Sequence, residues 1–177
     1  MGNVALWKPA SSAVYPAYFI MQLFQEAGLP DGVINFIPGR GSVVGPLVMD
    51  HPDLAGVHFT GSTAVFQNMW QHIGGNIQQY KSYPRIVGET GGKDFCIAHE
   101  SVDRDALVTA MVRGAFEFQG QKCSALSRAY IPTSIWPELS ENYIKKVKKI
   151  KVGDVEDFSN FMNRVIDISA FDSICLL

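Results

Sequence analysis

The chain has 177 residues, 47% apolar and 18% charged, with 15 Lys plus Arg against 17 Asp plus Glu. Such a composition supports a packed core rather than disorder, and a net charge of −2 lacks the basic excess of a nucleic-acid binder. No apolar run reaches the roughly 18 residues of a membrane span, and residues 1–9 carry no basic stretch followed by a long apolar one, the mark of a secretory signal.

The elements alternate. Residues 3–7 (N-V-A-L-W) read as a strand, and residues 11–27 as an amphipathic helix that Ser11 or Ser12 can cap. Pro16 is tolerable only in the first turn; Gly28 stops the helix and Pro30 follows. A second strand is expected over 33–38, a glycine turn at 39–41 and a helix to about Met49. Gly56 to Thr60 is a third strand, leading through Gly61-Ser62-Thr63 into a helix over about 64–79, and Arg85 to Glu89 is a fourth. After Gly91-Gly92 come a strand at 94–98, a helix over 102–118 capped by Ser101 and ended by Gly120, and a strand within 124–132. A helix over 136–150 then places Trp136, Leu139, Tyr143, Val147 and Ile150 on one face, with Lys145, Lys146, Lys148 and Lys149 as a solvated charge run. The tail, 166–177, opens a further helical pattern. Strands and helices in this order, joined by short Gly/Pro turns, indicate parallel βαβ units.

Cys96, Cys123 and Cys175 are odd in number and form no C-x-x-C pair, which speaks against a disulfide framework and for a reducing compartment. His51, His58, His72 and His99 lack H-x-x-x-H spacing, so no metal site is expected. Four places can carry chemistry. Gly61-Ser62-Thr63 lies where a strand turns into a helix, a site for phosphate or simply a helix cap. Lys8 follows the first strand at its carboxyl end, where ligands of open parallel sheets bind. Glu89-Thr90-Gly91-Gly92-Lys93 puts a carboxylate at a strand end before two glycines that allow close approach, so it can act as a general base for water. In Gly120-Gln121-Lys122-Cys123-Ser124, a loop cysteine beside a lysine can have a lowered pKa and act as a thiolate nucleophile, whereas an isolated cysteine is usually a small buried hydrophobe. Cys96 and Cys175 keep that second reading.

Together, W-K-P at residues 7–9, F-T-G-S-T at 59–63, G-E-T-G-G-K at 88–93 and G-Q-K-C at 120–123 resemble, in order and spacing, the aldehyde dehydrogenase superfamily. The stretches Y-P-R-I-V-G-E-T-G-G-K-D-F at 83–95 and R-G-A-F-E-F-Q-G-Q-K-C-S-A at 113–125, with Phe66 where most of the superfamily has glycine, resemble its pyrroline-5-carboxylate dehydrogenase branch. The resemblance runs from Gly2 to about Phe171. It implies a partial aldehyde dehydrogenase fold of α/β class: part of a parallel-sheet NAD-binding domain, residues 1–92, and then part of a catalytic α/β domain, residues 93–177. Cys123 would be the nucleophile and Glu89 the base for water. Lys8 would contact the adenosine ribose of NAD, and Gly61, Ser62, Thr63, Ala64 and Val65 would line its pyrophosphate and adenine side. Ser124 would help hold the substrate. The implied substrate is the small-molecule aldehyde glutamate semialdehyde, oxidised to glutamate in mitochondrial proline breakdown, with neither nucleic acid nor membrane as a partner.

The match also departs from the family. Ser11 stands where many members have a carboxylate for the ribose. The oxyanion-stabilising asparagine lies upstream of the family's W-K-P motif. A second glutamate, the substrate-carboxylate loop and the strand through which the family forms homo-oligomers lie beyond the point matched by Leu177. The chain is therefore expected to be an internal fragment with exposed sheet edges. Two alternatives accompany this reading: a catalytically incompetent fragment that retains at most NAD binding, and an aldehyde dehydrogenase for another aldehyde.

Overall fold

Strand and helix alternate throughout the computed structural model, which describes residues 2–176. The chain forms two compact units: Met1–His58 with Gln67–Val87, and Phe59–Phe66 with Gly88–Leu177. The expected domain boundary at residue 92 falls inside the second unit. Among the described residues no helix is long and apolar enough to cross a membrane.

In the first unit β1 (Ala5–Trp7) pairs in parallel with β2 (Ile34–Phe36), aligning Ala5 with Ile34 and Trp7 with Phe36. Parallel strands need a crossover, and α1 (Val14–Glu26) supplies it. Neither expected serine caps this helix. A 3₁₀ turn, Ser11–Ala13, precedes it, and the positions before turn and helix are Ala10 and Ala13, which have no side-chain acceptor. Pro16 sits in the first turn of α1, where its missing N–H has no intrahelical partner to lose. The helix ends as expected at Gly28, whose φ of 88° only glycine adopts without strain. There the Leu29 N–H donates to the Phe24 carbonyl at 2.9 Å and the Gly28 N–H to that of Gln25 at 3.0 Å, closing a Schellman motif. The Trp7 ring meets Phe24 at 6.4 Å and Phe36 at 5.7 Å, which ties helix to strands. Next comes α2 (Gly41–Met49), whose last carbonyl accepts from the Tyr80 hydroxyl at 2.6 Å.

A second strand pair joins β3 (Gly56–Thr60) and β4 (Arg85–Glu89). The Arg85 N–H donates to Ala55 at one end, and the Gly61 N–H to Glu89 at the other, both at 3.1 Å, so the strands run the same way. The expected helix over 64–79 is two elements: α3 (Thr63–Gly75) and a 3₁₀ turn, Ile77–Gln79. Helix α3 ends on the Gly74-Gly75 pair, where helix propensity is low, and Asn76 separates the two elements.

The second unit holds the larger core. Here β5 (Phe95–Ile97) pairs in parallel with β6 (Arg128–Tyr130) across α4 (Arg104–Phe116). The cap of α4 is Asp103, not Ser101: Asp103 Oδ1 accepts from the Ala106 N–H at 2.7 Å, while Ser101 Oγ pairs with His99 Nδ1 at 2.9 Å. Leu107, Val108, Met111 and Val112 recur at helical spacing and are buried with Ala98, Ile135 and Leu139. Leu139, in α5 (Trp136–Val147), is fully buried; Tyr143, Val147 and Ile150 pack around the same core. Trp136 departs from the expected apolar face and is 45% exposed. Lys145, Lys146, Lys148 and Lys149 are all exposed, as a solvated face requires. The chain continues to α6 (Ile168–Cys175), capped by Asp167 Oδ1 on the Ala170 N–H at 2.8 Å.

Candidate active site

In the first unit Lys8 leaves the end of β1 and is half-buried. Its Nζ donates to the Pro9 carbonyl at 2.7 Å and the Gly39 carbonyl at 3.5 Å. Its stem passes 3.8 Å from where a Cβ on Gly41, the first residue of α2, would stand. A fixed ammonium beside a helix N-terminus suits the oxygens of a ribose or phosphate.

In the second unit Gly61, Ser62, Thr63, Ala64 and Val65 form the exposed turn from β3 into α3. Ser62 is a true cap: its Oγ accepts from the Val65 N–H at 3.3 Å and its carbonyl from the Phe66 N–H at 3.1 Å. The Gly61 N–H is also engaged, on the Glu89 carbonyl at 3.1 Å, so this turn is tied to the end of β4. The Phe59 and Phe66 rings stack at 6.2 Å and 8°. A Cβ on Gly88 would overlap the Phe66 ring, so the strand passes bare beneath an aromatic side chain just before Glu89.

The glycines after Glu89 are not equivalent. A Cβ on Gly91 would meet nothing within 4 Å, whereas one on Gly92 would overlap the Cys123 carbonyl oxygen and crowd the Asp94 carboxylate. The second glycine is thus what allows the glutamate loop and the cysteine loop to touch.

The cysteine loop begins earlier than its sequence suggests. Helix α4 stops at Phe116, not Phe118, and Gly120 is not alone in ending it. Phe118, Gln119 and Gly120 take φ values of 52°, 58° and 68°. Two consecutive non-glycine residues in the left-handed region store roughly 1–3 kcal/mol each, and such strain gathers at functional sites. Side-chain bonds hold the turn. Gln119 Oε1 accepts from the Asn163 N–H at 3.0 Å and its Nε2 donates to the Arg164 carbonyl at 2.8 Å. Gln121 Oε1 accepts from the Ile166 N–H at 2.8 Å, and its Nε2 donates to the Phe118 carbonyl at 3.3 Å.

Cys123 is exposed, and Glu89 lies beside it. The expectation that Lys122 lowers its pKa is overturned: the thiol is pushed up. Hydrogen bonding to the Glu89 carboxylate is the main cause, followed by desolvation and the carboxylate's charge; backbone hydrogen bonding at Cys123 and Ser124 opposes it. Lys122 is engaged elsewhere, on Glu117 Oε2 at 2.8 Å, while Arg113 takes Glu117 Oε1 at 2.8 Å. These two cations hold the Glu117 carboxyl below the usual carboxylate range. Ser124 is exposed next to the thiol. Cys96 is half-buried within β5, and Cys175 is exposed rather than buried.

The sequence reading thus named the sulfur and the carboxylate that meet, but it missed Gln119, Gln121 and Glu117. The spacing of Arg113, Glu117 and Lys122 carried a signal for the last. Two amides flanking Gly120 was the only hint of the others. Chemically, a carboxylate that takes the proton of a nearby thiol and, after losing it to solvent, takes one from water can help form and hydrolyse a covalent acyl intermediate.

The aldehyde dehydrogenase family model matches residues 1–176. Among curated relatives, the mitochondrial delta-1-pyrroline-5-carboxylate dehydrogenase of Dictyostelium discoideum is 51% identical over 176 residues, covering 98% of this chain and 32% of its own length. The mitochondrial enzyme of that name from Homo sapiens is 42% identical, with 98% and 31% covered. Among solved structures, the delta-pyrroline-5-carboxylate dehydrogenase of Mycobacterium tuberculosis bound with NAD has a TM-score of 0.93 at 50% identity, covering 98% of this chain and 32% of that one. The Thermus 1-pyrroline-5-carboxylate dehydrogenase with bound NAD has a TM-score of 0.91 at 33% identity, with 98% and 33% covered. The chain therefore spans about a third of the length of the relatives it matches, carries part of the aldehyde dehydrogenase fold, and belongs to the aldehyde dehydrogenase family.

Proposed function

We propose that the product carrying this sequence oxidises L-glutamate 5-semialdehyde to glutamate with NAD, through a thioester on Cys123. The single observation behind this reading is the close seating of the loop that follows Glu89 on the loop of Cys123, where Gly92 lies against the Cys123 carbonyl. Support for the substrate comes from relatives named for pyrroline-5-carboxylate, at 42–51% identity.

Glu89 takes the thiol proton as Cys123 attacks the aldehyde carbon, giving a thiohemiacetal. NAD, when bound, would supply the hydride acceptor, and loss of the hydride from the thiohemiacetal carbon leaves the thioester on Cys123. Once Glu89 has lost the thiol proton to solvent, it draws a proton from water as the water oxygen adds to the thioester carbon; the carbon–sulfur bond breaks, the acid is released, and the sulfur takes that proton back from Glu89. Ser124, adjacent and exposed, donates to the substrate. Lys8 holds the adenosine ribose, and Gly61, Ser62, Thr63, Ala64 and Val65 line the pyrophosphate and adenine side. The donors present fit such a group: a half-buried ammonium at a helix start and a serine-capped turn. We assign residues 1–92 to the NAD-binding domain of the complete fold and 93–177 to its catalytic domain. The mitochondrial matrix is the proposed compartment, after the relatives named mitochondrial.

The test is NADH formation by the natural gene product with glutamate semialdehyde against simple aliphatic aldehydes. Preference for the semialdehyde, and loss of turnover on Cys123→Ala, are expected. Undiminished turnover by Cys123→Ala refutes the assignment; equal rates on aliphatic aldehydes refute the substrate.

A further inference from the structure

The left-handed turn before Cys123 is costly for the backbone and has one bond of its own to hold it. Phe118 and Gln119 both sit at φ values, 52° and 58°, that L side chains rarely adopt, and within the turn the Gln121 N–H donates to the Phe118 carbonyl at 3.0 Å. What over-determines this turn comes from far along the sequence. Gln119 uses both ends of its amide on the backbone of Asn163 and Arg164, at 3.0 and 2.8 Å, and Gln121 accepts from the Ile166 N–H at 2.8 Å. Three bonds at sequence separations of 44 and 45 thus cross from one side of Gly120 to the other and fasten on one stretch of backbone. That stretch is itself built in: Val152 bridges Met162, and the Gly153 N–H donates to the Met162 carbonyl at 3.1 Å.

We infer that Gln119 and Gln121 are positioning residues, a clamp on the backbone of residues 163–166 that holds the turn closed and fixes how far Cys123 reaches toward Glu89. The inference rests on Cys123 as the reacting sulfur but concerns its placement, not its turnover. The Glu89 carboxylate acts to raise the thiol pKa, Asp94 lies with Gly92 against the Cys123 carbonyl, and Lys122 is held by Glu117. Because Glu89 is the main cause of the raised thiol pKa, the reactivity of this sulfur reports its distance from Glu89.

The experiment follows alkylation of Cys123 against pH in the full chain, resolved from Cys96 and Cys175 by peptide mass spectrometry. In Gln119→Ala/Gln121→Ala the midpoint should fall and alkylation at neutral pH become several-fold faster, with far-UV circular dichroism unchanged. Glu89→Gln should lower the midpoint in the parent and change it much less in the double variant, since the coupling is then already lost. Gln121→Glu keeps the acceptor for Ile166 and should restore part of the parent midpoint relative to Gln121→Ala. If the double variant does not fold, Gln119→Gly decides: it relieves the left-handed backbone while deleting the amide, so a lowered midpoint in a folded chain supports the clamp. An unchanged midpoint in any folded variant lacking the Gln119 amide overturns it. A clamp effect without any thioester in turnover assays would fault the catalytic reading alone, and a thioester without a midpoint shift would fault the clamp alone.

Discussion

Gly91 and Gly92 are neighbours in sequence with opposite surroundings, and exchanging each for alanine separates packing from propensity. Neither has a positive φ, so both substitutions act through the added methyl and the unfolded state. At Gly91 a Cβ meets nothing within 4 Å. Gly91→Ala should therefore lie within about 0.5 kcal/mol of the parent, or be slightly stabilising through lost unfolded-state entropy. At Gly92 the Cβ overlaps a backbone oxygen, that of Cys123, which cannot swing aside as a long side chain can. Relief requires the glutamate loop and the cysteine loop to part, an overpacking strain of about 1–3 kcal/mol. At roughly 2–4 °C per kcal/mol for a chain of this size, the melting temperature of Gly92→Ala should fall by about 2–12 °C. The same parting moves the thiol from Glu89, so Cys123 should alkylate faster at neutral pH in Gly92→Ala but not in Gly91→Ala. Thermal unfolding and site-resolved alkylation of the two variants side by side provide the assay. Equal stability and equal alkylation would refute the claim that Gly92 seats one loop on the other.

Four further outcomes are expected. Leu139→Ala, at a fully buried position, should cost about 2–5 kcal/mol in urea unfolding. Asp103→Ala should cost about 0.5–2 kcal/mol by removing the cap on the Ala106 N–H, whereas Ser101→Ala should cost little; the reverse ranking would restore Ser101 as the cap. Glu89→Gln should make Cys123 more reactive at neutral pH, because the first cause of the raised thiol pKa is removed. Glu117 has a folded pKa below its unfolded value, so its contribution is present above the unfolded pKa and is lost as pH falls through the folded one. Stability of Glu117→Gln relative to the parent should therefore converge on acidification, as read from urea midpoints across that range.

The sequence was most legible where one local signal decided the outcome. The βαβ order, the bounds of β3 and β4, and the stop at Gly28 all follow from apolar runs and glycine punctuation, and the structure has each of them. It was least legible where tertiary contacts choose between local options. Ser11 and Ser12 are good caps by type, yet the chain enters α1 through a 3₁₀ turn that passes both by. Ser101 lost its role to Asp103, two residues on, because His99 takes its hydroxyl. Helix propensity alone carries α4 through Phe118; the Gln119 and Gln121 bonds to residues more than 40 positions away bend it left-handed instead. The thiol shows the same limit. Lys122 is its neighbour in sequence, but Glu117 holds the ammonium, and Glu89, 34 residues upstream in chain order, governs the sulfur.

The central claim is that Cys123 carries the acyl group and Glu89 hydrolyses it. The most direct measurement uses Glu89→Gln in the natural gene product, mixed with NAD and glutamate semialdehyde, quenched in acid, digested and read by peptide mass spectrometry. A glutamyl thioester accumulating on the Cys123 peptide, absent without NAD and absent from Cys123→Ala, is the predicted result. An unmodified Cys123 peptide alongside undiminished NADH formation would contradict it.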